Sequence, residues 1–103
     1  MQVKHIIGFE PGVAVAAVMD ENYHKKNEFR FIDWPVTHIA IMRDLFQGDE
    51  SAEAVWGSED GKNYRMIFGL TINGHKGDIR DLHGLDTEDE ISAVIDKWTE
   101  VEQ

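Results

Sequence analysis

A chain of 103 residues has room for one domain around one modest core, so 1–103 reads as a single globular domain. It has no cysteine, which excludes disulfides, thiolate zinc sites and cysteine nucleophiles, and its formal charge of −10 opposes direct binding to nucleic acid or to anionic lipid. The 42% apolar and 29% charged fractions are those of an ordinary folded domain rather than a disordered tail.

The first segment, residues 2–21, reads as two strands around "EPGV". Pro11 fixes the first central turn position, and Gly12 supplies the positive φ that a type II turn needs at the second. Glu10, Pro11 and Gly12 also divide the apolar stretch that a signal peptide needs unbroken, and "GVAVAAVM" is too short to span a membrane. A cytoplasmic protein without membrane attachment is therefore expected. Val13 to Met19 is almost wholly apolar, which predicts a strand at the centre of a sheet with both faces covered. The polar run "DENYHKKNE" predicts a loop, and "FRFI" opens the next strand by alternation.

Residues 33–48 hold two competing signals. Asp33 before Pro35 and Gly48 at the end suggest a second helix over about 34–47, whereas "VTHIAIM" is rich in β-branched residues and suits a strand. The helix is the favoured expectation. Residues 52–73 form a hairpin around "SEDGK", with Asp60-Gly61 as the turn signal and Tyr64, Met66 and Phe68 as the expected core face. From Thr87 the period becomes helical. Thr87 and Glu90 make a capping box, and Ile91, Val94, Ile95 and Trp98 form one stripe, predicting an amphipathic C-terminal helix over about 87–101. The fold class is α+β: an antiparallel sheet of four to five strands with that helix packed on one face.

Two stretches carry the functional expectations. In "NGHKGDIRDLHGLDTEDE", residues 73–90, His75, Asp78 and His83 are acceptable ligands for zinc, manganese or iron, with Asp81 a fourth. Their spacing matches no metal motif with a stated mechanism, and the competing reading makes Gly74 and Gly77 turn residues and sends Ile79, Leu82 and Leu85 into the core. No cofactor and no catalytic residue is assigned; the serine nucleophile-elbow pattern and the phosphate-loop pattern are both absent.

The second stretch is the acidic helix. With the apolar stripe inward, Asp89, Asp96 and Glu100 fall on the outward face. Residues 1–43 carry five bases and five acids, whereas residues 44–103 carry five bases and fifteen acids, so the whole net charge lies in the second part. Acids on an exposed face also serve solubility, but such segregation can steer association with a basic partner. The main expectation is a small acidic, non-enzymatic binding protein that engages a basic macromolecule through its C-terminal half, in the manner of an inhibitor, immunity protein or nucleic-acid mimic. Trp34, beside Pro35, is the aromatic expected at such an interface. The alternatives are a small metal- or ligand-binding domain or enzyme built near 75–83, and a self-associating module, since a short sheet leaves edges that a homodimer satisfies.

Overall fold

The computed structural model describes residues 2–23, 25–26, 28–43 and 53–100. Among these, eight strands form two antiparallel sheets: β1 (Gln2–Gly8), β2 (Ala14–Met19), β3 (Phe31–Val36), β4 (His38–Arg43), β5 (Glu53–Ser58), β6 (Tyr64–Met66), β7 (Gly69–Ile72) and β8 (His75–Gly77). The first sheet has the order β1-β4-β5-β6 and the second β3-β2-β7-β8. A 3-10 turn, Ile79–Leu82, leads to the C-terminal helix α1, Glu88–Thr99, which packs against β7, β8 and that turn. The chain is thus α+β with its C-terminal helix on a sheet.

Two bent runs join the sheets. β3 passes into β4 through Thr37, whose N–H donates to the Ser58 carbonyl (2.8 Å) while its own carbonyl accepts from Phe9 N–H (2.7 Å). β6 passes into β7 through Ile67, bonded to Val55 of the first sheet, and Phe68, bonded to Ala17 of the second. These bonds satisfy backbone groups that a bend would otherwise strand. Gly57 lets the corner close: a Cβ there would sit 3.0 Å from the Ile67 side chain and 3.1 Å from that of Val36.

The core fills the space between the sheets with Ala14, Ala16 and Val18 of β2, Ile39 and Ile41 of β4, Val55, Ile67, Leu70 and Ile72. Leu82, Ile91 and Ile95 close one end of it. Each fully buried Ile or Leu contributes on the order of 1.5–3 kcal/mol. Alternation explains which residues enter: β2 buries Ala14, Ala16 and Val18 and turns Val15, Ala17 and Met19 the other way. β2 is central, between β3 and β7, as its apolar run predicts, although its second face is only partly covered and Met19 is exposed.

Local chemistry accounts for the turns. Gly12 has φ +86° at the third position of a turn closed by Val13 N–H on the Glu10 carbonyl. The Ser58–Lys62 turn joins β5 to β6 with Gly61 at φ +76° and Asp60 accepting from the backbone N–H groups of Lys62 and Asn63. Thr87 caps α1, its Oγ1 accepting from Glu90 N–H (3.2 Å) while its hydroxyl donates to the Glu90 carboxylate.

Two expectations are corrected. Residues 34–36 and 38–43 are strand, with the bend at Thr37 between them, and not helix; residues 44–47, the rest of that expected helix, lie outside the described residues. The β-branched run is held between β1 and β5 by backbone pairing on both sides, and Pro35 sits in β3, an edge strand where its missing N–H leaves no ladder bond unmade. The core face of 64–68 is also reversed. Ile67 is buried, whereas Met66 is 43% and Phe68 46% exposed, because pairing with β5 sets Met66 opposite Trp56 on the outward side.

Candidate functional site

Helix α1 turns its apolar stripe inward: Ile91 and Ile95 are buried, and Val94 and Trp98 pack against the core. Asp89, Asp96 and Glu100, separated by two turns and then one, are consequently all exposed on the opposite side. Among the described residues no ion pair involves a side chain of α1; the charged pairs lie elsewhere, as at Lys4–Glu53 and Arg80–Asp78. Glu88, Asp89 and Glu90 occupy the first turn, where they complement the helix dipole. Glu100 does the reverse. It is the C-cap residue, a carboxylate at the negative end of the helix.

Residues 73–90 make a hairpin and a capped turn. Asn73 and Gly74 have φ +49° and +81°, the pair of positive values that a two-residue hairpin of type I′ requires, and they join β7 to β8. His75 is exposed in β8 opposite Ile72. Asp78 caps the 3-10 turn by accepting from Arg80 N–H (3.0 Å), and the Arg80 guanidinium grips it at 3.1 and 2.8 Å, which holds its carboxyl down at about 2. His83 ends the turn, with its backbone N–H on the Arg80 carbonyl, and is exposed. Asp81 faces the indole N–H of Trp98 at 3.4 Å. Among the described residues no three His, Asp or Glu side chains come together as a metal set, so His75, Asp78, Asp81 and His83 are not gathered into one. Ile79, Leu82 and Leu85 do enter or abut the core, as the apolar spacing predicts. Gly77 is not a turn residue. Its Cα lies against the Trp98 ring, and any Cβ there would overlap it.

Trp34 is half-buried, its indole N–H donating to the Glu59 carboxylate (3.2 Å) and its ring lying 5.2 Å under the Arg65 guanidinium. Only part of it is left for a partner.

The perturbed carboxyls have structural causes. Asp60 lies well below the usual carboxylate range because the N–H groups of Asn63 and Lys62, the Ser58 hydroxyl and the Asn63 amide all donate to it in the hairpin turn. For Glu53, burial raises the carboxyl, but the Lys4 hydrogen bond (2.7 Å), Gly84 N–H (2.6 Å) and the charges of Lys4 and Arg43 outweigh it and lower the pKa.

One surface escaped the reading of the sequence. Val3, Ile6 and Met66 are exposed on the outward side of the first sheet, and Phe68 continues that surface to Phe31, their ring centroids 5.3 Å apart. A signal exists in residues 64–68, where Tyr64, Met66 and Phe68 alternate with Arg65 and Ile67; Ile67 puts an apolar residue on the second face as well, and the alternation does not say which face is covered. No described helix is long and apolar enough to cross a membrane. Comparison of the chain with protein-family models, with curated proteins and with solved structures found no significant match.

Proposed function

We propose that this chain is a small, non-enzymatic binding protein that engages a basic macromolecular partner through its acidic C-terminal half. The observation that carries the reading is the exposed row Asp89, Asp96 and Glu100 on α1, which has no ion-pair partner among the described residues. Helix stability does not account for Glu100, whose charge opposes the dipole. Solubility accounts for any one acid, but not for fifteen acids against five bases in residues 44–103 beside an even balance in residues 1–43. The field of such a surface attracts a basic protein and repels nucleic acid, and rim charges of this kind act chiefly on association rate and its salt dependence.

The test compares the immobilised wild-type chain with an Asp89→Lys/Asp96→Lys/Glu100→Lys variant in capturing basic proteins from host lysate. The wild type is expected to retain at least one basic protein that salt releases. Against the purified target, the variant should bind about tenfold or more weakly at low salt, with the gap closing as salt rises. Equal capture by both chains at low salt would remove this face as the interface.

A further inference from the structure

Between residues 78 and 100 eight acids stand against two bases, and the fold commits one of those bases locally. The Arg80 guanidinium is held by the Asp78 carboxylate, through Nε at 3.1 Å and Nη2 at 2.8 Å, so Asp81, the next carboxylate along the 3-10 turn, goes without it. Asp81 is exposed, and among the described residues the donor that reaches its side chain is the Trp98 indole N–H, at 3.4 Å, long for a hydrogen bond. Carboxylate and indole stand together in the wall of a groove of about 430 Å³ between the 3-10 turn and α1, which Val94 and Lys97 complete. Gly77, whose Cα lies against the Trp98 ring, takes no part in that wall, so the groove meets a portion of the indole that β8 leaves uncovered. The ring is also fixed in place, since Gly77 and the core hold it from behind. A second groove, walled by Ala93, Asp96, Lys97 and Glu100, shares Lys97 with the first, which makes the notch continuous with the acids of α1.

We propose that this groove takes an arginine side chain of the basic partner, its guanidinium against the Trp98 indole and paired with the Asp81 carboxylate. The inference rests on the acidic-half reading and deepens it by naming the side chain that is read and the place where it is read. Charge complementarity selects a cation, because the groove opens among exposed acids that the chain's own bases do not offset. The indole selects the kind of cation. A guanidinium is planar and weakly hydrated, so it can lie on an aromatic ring while its N–H fork pairs with a carboxylate, whereas the ammonium of lysine is a compact and strongly hydrated point charge. Lys97 is the competing charge. It lines both grooves, is exposed, and forms no ion pair among the described residues, so its long stem can swing away as the guanidinium enters, at some cost in affinity.

Capped hexa-arginine and hexa-lysine peptides, titrated at low salt into the isotope-labelled full chain with the indole N–H signals followed by two-dimensional NMR, test it. Hexa-arginine is expected to bind about fivefold or more tightly than hexa-lysine and to move the Trp98 indole signal in step with saturation. Asp81→Asn keeps the shape of an exposed side chain and removes its charge, so the fold stands, and the preference for arginine is expected to vanish. Asp89→Asn removes an equal charge elsewhere on α1 and is expected to weaken both peptides alike while the preference remains. Lys97→Ala should tighten hexa-arginine by about twofold or more. Equal binding of the two peptides with a still Trp98 signal overturns the groove and leaves the acidic-half reading in place. A preference for arginine that Asp81→Asn does not touch also overturns it, by putting the selective contact elsewhere. Failure of both peptides to bind up to about 1 mM overturns it too, and capture from host lysate then decides the wider reading by itself.

Discussion

Glu53 shows how one side chain can bind distant parts of this chain. Only 4% of its side chain is exposed, yet both oxygens are used: Lys4 of β1 donates to one and Gly84 N–H to the other, while Lys4 also donates to the Leu85 carbonyl. The first strand, the fifth and the loop before α1 therefore meet at one carboxylate. Glu53→Gln keeps the shape and removes the charge, leaving Lys4 without its counter-ion, and should cost about 1–3 kcal/mol at neutral pH. The sign of the pH dependence follows from the lowered pKa. A carboxyl held below its ordinary value of 4.5 stabilises the fold fully above that value, and the contribution is lost as pH falls from there through the folded value. Urea unfolding of wild type and variant down a pH series should show the stability gap shrinking below pH 4.5; a gap independent of pH would mean that charge is not what Glu53 contributes. None of this was legible in the sequence, where Glu53 is one acid among fifteen in its half, because its partners come from positions 49 and 31 residues away.

At the scale of elements, what could be read ahead was what local rules fix. The Thr87–Glu90 box, the Pro11-Gly12 turn and the Asp60-Gly61 turn are each decided within a few residues, and each is present. Residues 38–43 are decided by β1 and β5 on either side and residues 34–36 by β2, so helical spacing lost to strand pairing. Gly77 is the sharpest case. Its neighbours suggest a turn, but its lack of a side chain matters because Trp98, twenty-one residues later, lies against it and seats α1 on β8. Gly77→Ala should therefore force the indole off the strand at a cost of about 1–3 kcal/mol, which for a domain of this size lowers the thermal midpoint by several degrees. Near-ultraviolet circular dichroism should report a changed Trp98 environment in the same variant. An unchanged midpoint would show that α1 is not held through this contact.

For the molecule as a whole, the charge segregation was legible and the two-sheet architecture was not, since composition records how many acids there are and not which faces the bends expose. The fold leaves the acids of α1 and its leading loop exposed, with Arg80 and Lys97 as the bases among residues 78–100. The ion pairs Lys25–Glu28 and Arg80–Asp78 are exposed on both sides, and such pairs contribute about 0–1 kcal/mol each. Salt weakens the buried Lys4–Glu53 pair less than it screens the exposed acids, so repulsion among those acids is the term that salt changes most. Screening that shortens from roughly 10 Å at 0.1 M salt to about 3 Å at 1 M should raise the thermal midpoint of the wild type. Reversing Asp89, Asp96 and Glu100 to lysine raises the net charge by six units, from −10 to −4, and should remove most of that salt response. The melts belong at low protein concentration, because a dimer that tightens with salt would also raise the midpoint, and a linked association is recognised by a midpoint that moves with protein concentration. A midpoint that rises with salt at every concentration alike assigns the effect to the acids within one chain. One that falls with salt would show that attraction, not repulsion, dominates the field of the folded monomer, and would weaken the case for a surface held ready for a basic partner.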